Sequence, residues 1–114
     1  MVKLAMESEL AGATVRKPVT LVYPFEKRGV PPKFRGRLSW DAEKCVGCGT
    51  CVQVCPSFAL ELIGKGPVAE LRYYLNRCTF CAQCVESCPR DALAMTEDYE
   101  LADYKHRVYE FKRG

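Results

Sequence analysis

Amides and imidazole are scarce in this 114-residue sequence, which has one asparagine (Asn76), two glutamines (Gln53, Gln83) and one histidine (His106). His106 has no acid–base constellation beside it, so a surface or packing role outweighs a catalytic one. Long apolar runs are missing too: nothing approaches the roughly 18 to 20 residues needed to cross a bilayer. Lys3, Glu7 and Glu9 break up the first ten positions, where a secretory signal keeps an uninterrupted apolar stretch. No aromatic–basic repeat or nucleic-acid motif is present, so nucleic acid is not an expected partner. These absences lead to the expectation of a reducing cytoplasm, in which thiols stay free to bind metal.

Cysteine is what the chain has in excess. It carries eight. A domain of this length buries only about two-thirds of its unfolded surface, so something beyond apolar packing is expected to stabilise it. A disulfide scaffold is the plain reading of many cysteines in a short chain, but it calls for oxidising surroundings.

The formal charge of +3 is unevenly spread. Residues 1–40 hold eight basic and three acidic side chains, residues 41–96 five and six, and residues 97–114 four and five. The basic leader suits an acidic partner surface.

One internal repeat dominates. Cys45, Cys48, Cys51 and Cys55 recur as Cys78, Cys81, Cys84 and Cys88 at an offset of 33, which also relates Pro56 to Pro89, Ala59 to Ala92 and Leu60 to Leu93. In the leader, Pro18, Pro24, Pro31 and Pro32 rule out a long helix, leaving a short extended segment at Val19–Tyr23 and an irregular arm. Leu4, Met6 and Leu10 form a weak helical stripe before it.

The repeat predicts a strand at Arg37–Trp40, a helical turn at Thr50–Val54 stopped by Cys55 and Pro56, and strands at Phe58–Ile63 and Ala69–Tyr74. A second helical turn follows at Ala82–Ser87 and a strand at Ala92–Thr96. The aromatic-rich tail from Glu97 is expected to open with a short helix capped by Asp98, and to serve as a lid or docking strip.

Both runs read C-x2-C-x2-C-x3-C-P. Three thiols at intervals of three suit a tight loop wrapped around a metal core, with Gly47 and Gly49 easing its approach. Zinc favours paired C-x2-C knuckles with four ligands in all, and two zinc ions remain the competing reading. Trp40, Phe58, Tyr73, Tyr74 and Phe80 are expected to pack around the metal and keep water away, with electron relay through a ring as a minor alternative.

The runs resemble those of bacterial-type two-[4Fe-4S] ferredoxins. That resemblance implies an α+β ferredoxin-like domain with pseudo-twofold symmetry and two [4Fe-4S] clusters. It also implies that the fourth cysteine of each run serves the other run's cluster: Cys45, Cys48, Cys51 and Cys88 hold one, and Cys78, Cys81, Cys84 and Cys55 the other. Two oxidised clusters with their thiolates contribute about −4 and bring the loaded chain to roughly −1.

The flanks carry a narrower resemblance. The segment around Tyr23-Pro24-Phe25-Glu26 and Pro31-Pro32-Lys33-Phe34-Arg35-Gly36-Arg37 is similar to the Y-P-x-E…P-P-x-[FY]-R-G-[RK] stretch of the ferredoxin-like subunit of respiratory complex I and its membrane-bound hydrogenase relatives. Asn76-Arg77-Cys78-Thr79-Phe80-Cys81 and Asp98-Tyr99-Glu100-Leu101 extend the similarity. It implies an electron-carrying subunit with no substrate site of its own, peripheral on the cytoplasmic side of the membrane. Its expected partners are a single-cluster electron-transfer subunit and the large catalytic subunit, with membrane-arm subunits nearby.

The short link between the runs looks like the energy-converting hydrogenase branch. A sulfane sulfur reductase, an NADH-quinone oxidoreductase and a soluble ferredoxin shuttle remain alternatives. The expected division is an N-terminal partner-binding arm (residues 1–36), a two-cluster domain (37–96) and a C-terminal docking tail (97–114).

Overall fold

In the computed structural model, which describes residues 6–114, each cysteine run forms a loop closed by a short helix and bracketed by strands. The elements are α1 (Glu7–Val15), β1 (Leu38–Trp40), α2 (Thr50–Val54), β2 (Leu60–Ile63), β3 (Glu70–Tyr74), α3 (Gln83–Glu86), β4 (Leu93–Met95) and β5 (Val108–Phe111).

Antiparallel pairing joins the two cysteine units. β1, which leads into the first run, pairs with β4, which follows the second, with Ser39 opposite Ala94. β2 follows the first run and pairs with β3, which leads into the second, with Leu60 opposite Tyr73. β5 then adds to the free edge of β3, giving the order β2-β3-β5. The apolar side chains of these strands meet in a small core of Leu38, Leu60, Leu71, Tyr73 and Leu93. Leu71 and Tyr73 alternate with less buried Glu70, Arg72 and Tyr74, which is the period-2 pattern of a strand with one buried face.

Backbone conformation recurs along with sequence. Positive φ falls at Gly47 and Phe80, at Gly49 and Ala82, and at Phe58 and Asp91, every pair lying 33 residues apart. Positive φ at Phe58 holds the chain out of extended geometry, so β2 begins at Leu60 rather than at the expected Phe58.

Two other expectations change. The Val19–Tyr23 segment forms no strand, having no neighbouring strand with which to pair. The Asp98-capped helix is absent: the Asp98 carbonyl accepts from the Arg37 amide at 3.0 Å, which ties this stretch to the start of β1. The tail instead contributes β5. The weak stripe of Leu4, Met6 and Leu10 does fall partly on a helix, but α1 buries no side chain, and Leu4 lies outside the described residues.

The arm leaves the body yet is tied to it. Gly36 passes so close to the tail that a Cβ there would lie 2.4 Å from the Thr96 carbonyl oxygen and 2.5 Å from that of Asp98. Arg35 donates to the Cys81 carbonyl at 3.1 Å, and Tyr23 and Lys27 both donate to Glu100.

Candidate metal centres

All eight cysteines are free thiols, and they line two separate cavities. Around the first stand Cys45, Cys48 and Cys51 of the first run together with Cys88, with Trp40 and Leu93 among the apolar walls. Around the second stand Cys78, Cys81 and Cys84 together with Cys55, walled by Leu38, Leu60, Tyr73 and Met95. Short helices explain the exchange. Three cysteines of each run lie in the loop or on the helix that follows it, whereas the fourth comes after the helix, where the chain turns toward the neighbouring unit.

Donors converge on the sulfurs. The Ala59 amide donates to Cys55 Sγ and the Ala92 amide to Cys88 Sγ, each at 3.3 Å, so one contact occurs once in each repeat. The Phe80 amide donates to Cys78 Sγ at 3.4 Å. The Thr50 hydroxyl lies 3.4 Å from Cys48 Sγ and the Ser57 hydroxyl 3.6 Å from Cys55 Sγ. Hydrogen bonds of this kind stabilise a thiolate and the metal it holds.

The Thr50 hydroxyl holds the Cys48 thiol below its ordinary pKa. At Cys55 burial works in the opposite direction, but the Ala59 amide and Ser57 hydroxyl outweigh it and the pKa is lowered. Burial pushes Cys51 up to about 11, with the charges of Cys45, Cys48 and Cys88 adding to the effect. Cys84 is also pushed up to about 11 by burial, with Cys78, Cys51, Cys55 and Cys81 contributing. Metal binding at the two deeper thiols therefore releases protons at neutral pH.

One buried polar atom lacks a conventional partner at the second cavity. Tyr73 is fully buried at 0% exposure, and its hydroxyl has no hydrogen-bond partner in the protein. Burial, followed by the facing Cys78 thiol, raises its pKa. At the first cavity a tail residue closes the loop: Arg113 donates to the Cys45 and Pro67 carbonyls and lies 5.8 Å from the centre of the Trp40 ring. Arg113 was not among the residues singled out from sequence, because only β5 brings the tail here.

Of the rings expected around the metal, Trp40 and Tyr73 line the cavities, whereas Phe58 is 74% exposed and turns to solvent. His106 is exposed.

The donor set fits an iron–sulfur core. It offers four soft thiolates per cavity, amides and hydroxyls directed at sulfur, and apolar walls. Zinc requires sulfurs about 2.3 Å from a single point. Among the described residues no three His, Cys, Asp or Glu side chains converge to hold one ion.

Comparison with known proteins agrees with this chemistry. Residues 39–95 match the 4Fe-4S dicluster domain model. Subunit I of an NAD(P)H-quinone oxidoreductase from Microcystis aeruginosa is 46% identical over 100 residues, covering 78% of this chain and 50% of that protein. The chloroplast counterpart from Panax ginseng is 45% identical over 105 residues, covering 86% of this chain and 63% of the other. The chain thus spans less than two-thirds of the length of these relatives.

Among solved structures, a chain of the membrane-bound sulfane sulfur reductase, an archaeal respiratory membrane complex, superposes with a TM-score of 0.69 at 33% identity. The match covers 87% of this chain and 54% of that one. Two four-thiol cavities and a family model spanning half the sequence lead to one conclusion: this chain belongs to the 4Fe-4S dicluster domain family, carries two [4Fe-4S] clusters, and is a ferredoxin-like relative of subunit I of complex I-type oxidoreductases.

Proposed function

We propose that this chain is an electron-transfer subunit of a complex I-related membrane-bound oxidoreductase. Cys45, Cys48, Cys51 and Cys88 hold one cluster, and Cys78, Cys81, Cys84 and Cys55 hold the other. The observation that carries this reading is that each cavity is lined by three thiols of one run and the fourth thiol of its partner run. The recurrence of positive φ 33 residues apart supports a pseudo-twofold relation between the two units.

The bound clusters would supply one-electron redox chemistry. The chain's own residues bind the iron through thiolates, direct amides at the sulfurs and exclude water with Leu38, Leu60, Leu71 and Leu93. No substrate is transformed on this chain in the proposed role.

Residues 1–36 are proposed as the arm that docks on partner subunits, residues 37–96 as the two-cluster domain and residues 97–114 as a docking tail. The arm's side chains favour this: Val19 is 99% and Phe25 88% exposed, on a segment with an excess of positive charge. The proposed partners are a single-cluster subunit and a large catalytic subunit, with membrane-arm subunits nearby, on the cytoplasmic face. Among the described residues no helix is long and apolar enough to cross a membrane, which agrees with peripheral attachment.

The short link between the runs favours a hydrogenase-type complex, whereas the sulfane sulfur reductase neighbour favours a sulfur-reducing one. Identifying the proteins that copurify with the chain from native membranes separates the two.

Oxygen-free protein is expected to contain about eight iron and eight inorganic sulfide. Cys55→Ala is expected to damage the cluster held by Cys78, Cys81 and Cys84 while sparing the other. Selective EPR loss of the Cys45, Cys48 and Cys51 cluster instead would refute the crossed ligand assignment.

A further inference from the structure

The amides of Ala59 and Ala92 recur in both units, so they bias both clusters alike. Two arginines from outside the repeat do not. Arg35 in the arm donates to the Cys81 carbonyl at 3.1 Å, and Arg113 in the tail donates to the Cys45 carbonyl. Each cysteine loop therefore receives one guanidinium, but in different surroundings. Arg35 and Cys81 are both exposed, so water and salt screen that charge. Arg113 and Cys45 are both half-buried, and Arg113 Nε is shut off from solvent.

Arg113 reaches this place because β5 pairs with β3, which sets Phe111 opposite Leu71 and delivers the tail to the first loop. There it bridges the Cys45 carbonyl to the Pro67 carbonyl and lies 5.8 Å from the centre of the Trp40 ring. Cys45 and Trp40 both line the first cavity, so the guanidinium stands against the wall of that site. Its charge has no counterpart in the protein. Both acceptors are neutral carbonyls, Nε has no partner, and among the described residues Arg113 forms no ion pair. A partly buried cation without an anion is unfavourable. Four thiolates and an oxidised [4Fe-4S] core together carry about −2, which supplies the missing counter-charge.

We propose that Arg113 is a positioning residue whose charge, fixed on the Cys45 loop, raises the first cluster's potential relative to the second's. This rests on the ligand assignment proposed above. Reduction adds one negative charge to a cluster, so a nearby cation stabilises the reduced state more than the oxidised one. Arg35 exerts the same pull on the second cluster only through solvent, and it offsets a part of the difference. An electron shared between the two clusters is drawn toward the one beside Arg113.

The test is an EPR-monitored redox titration of the loaded chain, with signals assigned to each cavity through Cys55→Ala. Arg113→Gln is expected to keep its full iron and sulfide. It should shift the electron's share about threefold toward the second cluster, which is about 28 mV at the 59 mV per tenfold of a one-electron couple. Arg113→Lys keeps the charge and is expected to leave both potentials close to those of the unmodified chain. A purely structural clamp would not be rescued in this way, because lysine lacks the rigid fork that bridges two carbonyls. Site-specific citrulline at position 113 keeps the shape and the N–H donors but not the charge, and is expected to lower the first potential as glutamine does. If Arg113→Gln fails to load, the citrulline chain decides the matter.

Unchanged potentials in the citrulline chain, or an equal fall in both, overturn the role of Arg113 alone. A fall in Arg113→Lys as large as that in Arg113→Gln does the same. Absence of sulfide from the unmodified chain, or loss of the wrong signal in Cys55→Ala, overturns the ligand assignment and this proposal with it.

Discussion

Gly47 and Gly49 have similar left-handed backbones, with φ of +70° and +77°, yet they are glycine for different reasons. A Cβ on Gly49 would meet only Leu62 Cδ2 at 3.7 Å, and Ala82 occupies the repeat-related position with φ of +63°. Gly49→Ala therefore costs only left-handed strain, about 1–2 kcal/mol, and is expected to retain both clusters. A Cβ on Gly47 would lie 2.2 Å from the Gly66 carbonyl oxygen. Phe80, its repeat-related counterpart, tolerates φ of +53°, so space rather than conformation makes position 47 a glycine. Gly47→Ala is expected to displace the first loop and lose the Cys45 cluster while the second persists, as read by iron and sulfide content and by EPR. Both glycines were legible as loop residues from the spacing of the cysteines. The approach of Gly66 was not, because it depends on how the β2–β3 turn folds back over the loop.

At the scale of elements, the short helices were the most legible part: Thr50–Val54 is helical as expected because the next residues, Cys55 and Pro56, stop it. The tail was misread because Asp98 carries a local helix-capping signal, while its backbone is claimed by Arg37 across the fold. The signal for β5 was nevertheless present. Val108-Tyr109-Glu110-Phe111 alternates aromatic with outward-facing residues, and Tyr109 and Phe111 stack against Tyr73 at centroid distances of 6.0 and 6.5 Å. The ordered tail provides the anchor for the arm, since Glu100 receives Tyr23 at 2.6 Å and Lys27 at 2.5 Å. Glu100→Ala is expected to release this part of the arm, speeding tryptic cleavage after Lys27 and Arg28 while leaving cluster content unchanged. Hydrogen bonding from Lys27 and then Tyr23 lowers the Glu100 pKa, so the tie is complete above the ordinary carboxylate value of about 4.3 and is lost as pH falls through the lowered folded value. An unchanged cleavage rate in the variant would show that the arm is held elsewhere, through Arg35 and Gly36.

Over the whole molecule, charge and shape are divided in the same way. The chain measures 78 × 28 × 28 Å, and α1 buries nothing, so the arm contributes length rather than core. Residues 1–40 carry the basic excess, while the remainder is slightly acidic before about −4 is added by two oxidised clusters and their thiolates. The body has only five large side chains in its buried core, so much of its stability comes from metal binding, which is itself folding free energy. Body and arm therefore answer to different tests. Removing residues 1–33 spares Gly36 and Arg37, whose backbones pair with Thr96 and Asp98, and is expected to leave full iron and sulfide and unaltered EPR signals. The same truncation should abolish copurification with the proposed membrane complex, whereas the intact chain should be released from it progressively as ionic strength rises, because exposed charges are screened beyond about 8 Å at physiological salt. Loss of a cluster on truncation would make the arm part of the fold. Undiminished copurification would put the docking surface on the two-cluster body and remove the reason for so long and basic an extension.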